Sequence, residues 1–233
     1  ILPPDFNTSN VTNMKEMFHF CEKLKTIDLS SFNTLKVTNM SRMFGMCQCL
    51  ENIELSSSFN TSNVKNMSEM FESCRKLKNI DLSSFNTSNV MSMKRMFESC
   101  RKLKNIDLSR FNTSKVIDMS RMFMYCETLK NLNCSSFNTS KAINMREMFT
   151  GCKQLTNLDL SSFITSEFQN MNLSLENKHD LHDIIDDKIY HIIKKNKLSS
   201  FKTFLYGMFD YCPNLKNIKA NDINIINEFK QKE

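Results

Sequence analysis

Phe59 to Ser84 reads F-N-T-S-N-V-K-N-M-S-E-M-F-E-S-C-R-K-L-K-N-I-D-L-S-S, one full copy of a phrase that recurs along the chain. Outward from it, Phe6, Phe32, Phe59, Phe85, Phe111, Phe137 and Phe163 open successive copies, 26 residues apart except for one interval of 27 where Ser58 is extra. A fixed period of this length belongs to stacked arrays, in which each copy is too small to bury its own apolar face and must cover it with its neighbours. Such an array presents an extended surface rather than a catalytic pocket.

The apolar columns have two periods. Val64, Met67, Met70, Phe71, Cys74 and Leu77 fall at steps of three and four, the stripe of a short helix. Asn79, Ile80, Asp81, Leu82 and Ser83 alternate polar with apolar, as a half-buried strand does. Thr61 or Ser62 precedes the stripe, where a hydroxyl can cap unpaired backbone donors. The expected architecture is an α/β solenoid of about seven to eight strand-helix coils with one face a parallel β-sheet, the crossovers being right-handed. Neighbouring strands about 4.8 Å apart make such an array on the order of 35 Å long.

Leu77, Ile80 and Leu82 resemble the L-x-x-L-x-L core of leucine-rich repeats, and Phe59 to Cys74 is similar to the BspA-like repeat surface proteins, the DUF285 or mycoplasma lipoprotein repeat. The resemblance runs over residues 6 to 166 and returns at Gly207 to Ile218. One departure is visible: Phe stands where ordinary leucine-rich repeats carry a buried asparagine, and Asn60 and its equivalents follow one residue later. The resemblance implies a leucine-rich-repeat-like fold and a cell-surface or extracellular recognition module.

With 40% apolar residues the chain can build a long, thin core. The Met columns (Met14, Met40, Met67, Met93, Met119, Met145, Met171 and Met17, Met43, Met70, Met96, Met122, Met148) and the Phe column (Phe18, Phe44, Phe71, Phe97, Phe123, Phe149) are expected inside. Cys21, Cys47, Cys74, Cys100, Cys126, Cys152 and Cys212 share one column and are expected as buried free thiols. Cys134 replaces a strand Leu, and Cys49 is expected to be exposed. Only three glycines and no tryptophan are present, which argues against phosphate-cradling loops.

The candidate partner-binding strip is the outward row of the strand face, Asp28, Glu54, Asp81, Asp107, Asn133 and Asp159, flanked by Asn79, Asn105 and Asn131 and by Thr26, Asn52 and Asn157. Like charges stacked coil over coil repel by somewhat under 1 kcal/mol per pair in water. A row that tolerates this suits a cationic partner or calcium; alternatively its side chains close local turns while Lys25, Lys78, Lys104 and Lys130 offset the charge. On the other side Lys15, Arg42, Arg75, Lys76, Arg95, Arg101, Lys102, Arg121 and Arg146 are interspersed with Glu16, Glu69, Glu72, Glu98 and Glu147. Mixed signs read as a solvated face, and a net charge of +6 without accessible aromatics argues against nucleic acid. The sequons at Asn7, Asn60, Asn86, Asn112 and Asn138 belong to the repeat itself, which favours a turn role over glycan attachment.

Residues 1–166 form the expected repeat unit. Residues 167–200 interrupt it with a helical insertion in which Leu181, Ile184, Ile185, Ile189, Ile192 and Ile193 make an apolar stripe, Asn177 a cap and Lys194, Lys195 and Lys197 a basic end. Residues 201–220 read as a degenerate last repeat and 221–233 as a cap or tail, with Pro213, Lys219 and Asp222 among the capping residues and Pro3 and Pro4 blunting the opposite edge. His179, His182, Asp183 and Asp186 lie at helical steps within the insertion. They are the basis of a metal-dependent enzyme reading, disfavoured because no nucleophile, base and orienting acid occur at usable spacing. The leading expectation is a non-enzymatic adhesion or ligand-binding module needing no cofactor, with a protein or cell-surface partner. An intracellular scaffold using the same face is the alternative. The chain carries no evident signal peptide or membrane span, and is expected to be a processed or trimmed piece of a longer protein.

Overall fold

The computed structural model describes residues 6–55, 59–165 and 205–231. Copies stack side by side in parallel. Strand β1 (Thr26–Asp28) pairs with β2 (Asn52–Glu54), Ile27 opposite Ile53, and β3 (Asn131–Asn133), β4 (Asn157–Leu160) and β5 (Asn217–Ala220) form a three-stranded parallel sheet with Leu132, Leu158 and Ile218 in register. The alternating exposure expected for a half-buried strand holds in β1 and β3, where only the central residue is buried. The strand face is not one continuous sheet, however, because Asn79–Asp81 and Asn105–Asp107 are unpaired as strands.

The continuous ladder lies elsewhere. Asn13, Asn39, Asn66, Ser92, Asp118 and Asn144 pair in parallel bridges from copy to copy. The register survives the 27-residue interval, since Asn39 opposes Asn66 just as Asn13 opposes Asn39. Both sides of each bridge are bonded: Met67 N donates to Ser92 O at 3.0 Å and Met91 N to Lys65 O at 2.8 Å.

The expected helices within the copies are absent from the described residues, and the hydrogen bonds give the reason. Met70 N donates to Met67 O, Cys74 N to Phe71 O and Leu77 N to Cys74 O, each closing a four-residue turn. Between those donors, the amides of Met67, Glu69, Phe71 and Ser73 reach across to Ser92, Lys94, Met96 and Glu98 of the next copy. A helix would consume every amide internally and leave none for the neighbour. Glu69 (φ 59°) and Ser73 (φ 58°) sit in the left-handed region, which breaks helical continuation. Their equivalents do the same: Glu16, Arg42, Arg95, Arg121, Glu147 and Gly207 in one column, Phe20, Met46, Ser99, Tyr125, Gly151 and Tyr211 in the other. A left-handed non-glycine residue costs roughly 1–2 kcal/mol, a strain offset by the paired backbone that it permits. Gly151 has a further cause: a Cβ there would lie 2.3 Å from the Tyr125 ring.

The side-chain files expected in the interior are present. Phe44, Phe71, Phe97, Phe123 and Phe149 are buried, with ring centroids 5.5–6.0 Å apart and planes within 8° of parallel, an offset stack. Phe18 joins one end and Phe209 the other. The described Met columns are buried except Met17, which is half-buried in the first copy. Met171, Ser58, Pro3, Pro4 and the insertion at 167–200, with its apolar stripe and its His179, His182, Asp183 and Asp186 group, lie outside the described residues.

Thr61 does not cap a helix as expected. Its Oγ1 donates to Asn86 O and accepts from Asn86 N, at 2.9 and 2.8 Å, and Thr8, Thr34, Thr87, Thr113 and Thr139 make the same two-way bond to the following copy. The Asn that follows Phe closes a local turn, its Oδ1 accepting from the amide two residues on at Asn7, Asn33, Asn60, Asn86, Asn112 and Asn138. Thr165, the last hydroxyl of the file among the described residues, bonds Asp222 instead, its N and Oγ1 both donating to the carboxylate. Asp222 also accepts from Asn224 N as the N-cap of α1 (Ile223–Lys230), whose Ile225 is buried and whose Phe229 packs edge-on against Phe209.

Asp118 is the one carboxylate in the bridge column. It is fully buried, accepts from Ser120 N, Ser120 Oγ and Asn144 Nδ2, and has its pKa raised by burial despite these bonds. A carboxyl whose folded pKa is raised lends stability only in its protonated form, so its penalty grows as pH rises through the folded value and persists above it. Asp118→Asn removes the buried charge but sets an amide donor against Asn144 Nδ2, a cost at every pH, so relative to the parent the variant should gain on the order of 1 kcal/mol between pH 3 and pH 7. Urea melts at the two pH values check this; an equal difference from the parent at both would refute the charge argument.

Candidate functional site

The strand-face row is positioned by β1–β4, by the unpaired segments 79–81 and 105–107, and by the turns that follow them. Asp28, Asp81, Asp107 and Asn133 are exposed, Asp159 is half-exposed, and Glu54 is exposed at the end of β2. Asn79, Asn105 and Asn131 are exposed beside them. Each Asp and Asn133 uses Oδ1 to accept from the amide two residues on: Ser30, Ser83, Ser109, Ser135 and Ser161, at 2.8–2.9 Å. The Ser amides hold Asp28, Asp81 and Asp107 below the usual carboxylate range, and at Asp159 the Ser161 hydroxyl does so first, with Lys219 adding to it. The Asp side chains of the row are thus anionic at neutral pH, each with Oδ1 committed to its turn. Lys219 Nζ lies 3.1 Å from Asp159 Oδ2.

Two depressions open on this face. One, of about 590 Å³, lies over β3–β5 and is bounded by Ile106, Asn131, Asn133, Asp159, Asn217 and Lys219. The other, of about 580 Å³, lies beside the unpaired copies and brings Asp81, Ser83, Asn86 and Arg110 together over Phe59. The structure therefore splits the expected strip: Asn131, Asn133 and Asp159 share one concavity and Asp81 borders the other.

The mixed-charge face is more ordered than a solvated surface requires. Arg42 bridges Glu16 and Glu69 in the copies on either side, and Arg95 contacts Glu72 and Glu98. Arg121 and Arg146 both meet Glu147. These residues occupy or adjoin the first left-handed column, so the turns deliver their charges into one file. Burial, together with Glu69 and Glu98, pushes Glu72 up to about 7.

The thiols do more than fill space. All nine are free, and Cys47, Cys74, Cys100, Cys126, Cys152 and Cys212 are buried with Sγ 3.0–3.3 Å from the carbonyl of the Phe one copy earlier. Burial pushes the Cys47 thiol up to about 12 and also raises Cys74, Cys100, Cys126 and Cys152, keeping them protonated as donors. Two expectations need correction. Cys21 is exposed, because no earlier described copy covers it, and Cys49 is half-buried rather than exposed.

Among the described residues no group of three or more His, Cys, Asp or Glu side chains converges to hold a metal, and no helix is long and apolar enough to cross a membrane. No curated protein matches the chain. Among solved structures, a Treponema pallidum leucine-rich repeat protein is 19% identical over 66% of this chain and 65% of its own, with a TM-score of 0.39. A leucine-rich cell surface protein from Faecalibacterium prausnitzii is 16% identical over 88% and 62%, with a TM-score of 0.29. The chain spans just under two thirds of the length of each, and at these scores neither likeness bears on what it binds. The repeat sequence itself decides kinship: the family described as Mycoplasma protein of unknown function, DUF285, matches residues 4–80 and 78–188, and the chain belongs to that family.

Proposed function

We propose that the chain is a non-enzymatic recognition module, a right-handed solenoid of stacked repeats that binds a protein or cell-surface ligand through its strand face. The observation that carries this reading is the row of turn-fixed carboxylates and amides bordering the two depressions, with Asn131, Asn133 and Asp159 around one and Asp81 at the other. Each turn bond fixes one oxygen and so limits the rotamer freedom lost when a partner docks. The row runs across several copies, so its contact would be long and shallow, suited to a cationic protein surface. Cell-surface adhesion is the biological setting the family likeness favours. A second reading, an intracellular scaffold using the same face, draws on the nine free thiols, which suit a reducing compartment.

The test exploits the turn geometry. Asp81→Asn, Asp107→Asn and Asp159→Asn together retain the Oδ1 acceptors while removing three charges. Quantitative pull-down from host-cell surface extracts and from the parent cell's own cytosol should show a specific partner whose recovery falls at least tenfold with the triple variant. Which extract supplies it separates the two settings. Recovery unchanged by the triple variant would dismiss the strand face.

A further inference from the structure

Beside the bridge ladder lies a groove of about 660 Å³ that crosses at least five copies. Its floor is the column Thr12, Thr38, Lys65, Met91 and Ile117, and its wall is Lys36, Asn63, Asn89, Lys115 and Lys141. No lining residue is acidic. The asymmetry extends to the segments that build it: residues 7–15, 33–41, 60–68, 86–94, 112–120 and 138–146 hold seven Lys and Arg and a single acidic residue, Asp118, which is buried behind the ladder. The groove lysines thus sit on a face distinct from the acidic strand row and from the ion-paired file, to which Arg146 belongs through Glu147.

We propose that this groove binds a linear sulfated or uronic-acid polysaccharide. Two of the three wall lysines, Lys36 and Lys115, are held in place. Lys36 Nζ donates to Asn10 Oδ1 at 2.8 Å and Lys115 Nζ to Asn89 Oδ1 at 2.6 Å, each one copy back. An ammonium has three donors, so each keeps two for a ligand. Hydrogen-bonded copies are about 4.8 Å apart, so Lys36 and Lys141, four steps from one another, span about 19 Å. That is the reach of an oligomer with repeated anions, not of one isolated ion. Thr12, Thr38 and the Oδ1 of Asn63 supply neutral polar groups between the cations, matching the hydroxyls of a sugar chain. The lining contains no aromatic ring, and without one the groove lacks the stacking platform on which single-stranded nucleic acids depend. This site is separate from the strand face and stands or falls independently of it.

The test uses the full chain and a heparin octasaccharide as probe, with binding measured by titration calorimetry across a salt series. Lys36→Gln, Lys115→Gln and Lys141→Gln together should weaken binding at least tenfold and flatten its salt dependence, which tracks the number of charges neutralised. Lys141→Gln alone should give a measurable fraction of that loss. A control with the same charge loss on another face, Lys76→Gln, Lys102→Gln and Lys104→Gln, should bind as the parent does, and desulfated heparin should bind weakly. Absence of heparin binding, an equal loss in the control, or tighter binding of a single-stranded oligonucleotide of matched charge would overturn the proposal.

Discussion

Phe97→Ala should lower stability by about 3–5 kcal/mol and the melting midpoint by roughly 10 °C. Phe97 is fully buried between Phe71 and Phe123, 5.5 and 5.7 Å away and nearly parallel to both. Truncation opens a ring-sized cavity in a file that cannot close. The backbone on either side is fixed by Phe71 N donating to Met96 O and Phe97 N donating to Met122 O. The same change at Phe18 should cost less, because Phe18 is half-buried at the end of the file. The two variants should also fail differently. In a nearest-neighbour array a central lesion weakens the coupling between two halves, whereas a terminal one frays a single copy. Denaturant unfolding of Phe97→Ala is expected to broaden or split, with amide exchange accelerating on both sides of the lesion. A loss under 1 kcal/mol, or equal losses at Phe18 and Phe97, would contradict a core stabilised copy by copy through this file.

The Phe, Met and Cys files were legible because stacking forces equivalent positions into equivalent environments, and a strict period needs no structural template to be seen. The path of the backbone was not. Steps of three and four at Met67, Met70, Phe71 and Cys74 fit a helical stripe and fit equally the corners of successive four-residue turns, since both place every third or fourth side chain inward. The missing signal lay in the glycines. Two of the three, Gly151 and Gly207, fall in the two left-handed columns, where a helix would tolerate glycine poorly. The charges in those columns disguised them, because Glu69, Arg95 and Arg121 read as the polar face of a helix. At the strand face, the Asp side chains close local turns, as the alternative reading of the row had it, while Asp28, Asp81 and Asp107 stay exposed. The lysine groove went unread because Lys36, Lys65, Lys115 and Lys141 belong to two neighbouring columns that only the ladder brings together.

Three lengthwise faces with different charge follow from one repeated phrase. The strand row is acidic, the file of left-handed turns is ion-paired, and the segments between Asn7 and Lys15 and their equivalents are basic. Stacking multiplies any single-residue bias in the phrase by the number of copies. A weak preference for Lys over Glu at the position of Lys36, Lys115 and Lys141 thereby becomes a continuous field along the array. Substitutions that leave the Phe, Met, Cys and Thr files intact can retune one face without touching the others.

Thr113→Val should cost about 2 kcal/mol, more than its near-identical volume suggests, because it takes the partner from both the amide and the carbonyl of Asn138 and removes a doubly bonded hydroxyl. Thr113 is fully buried; its Oγ1 donates to Asn138 O at 2.9 Å and accepts from Asn138 N at 2.8 Å. Valine fills the same space and offers neither bond. Thr113→Ser keeps the hydroxyl and loses one methyl group, so it should cost only about 1 kcal/mol. A packing role predicts the opposite order, with valine tolerated and serine harmful. Urea melts of the two variants decide between them, and exchange of the Asn138 amide supplies the local readout. That proton should exchange much faster in the valine variant and stay protected in the serine variant. Valine as stable as the parent would mean that the hydroxyl file, from Thr8 to its closure at Asp222, contributes shape alone.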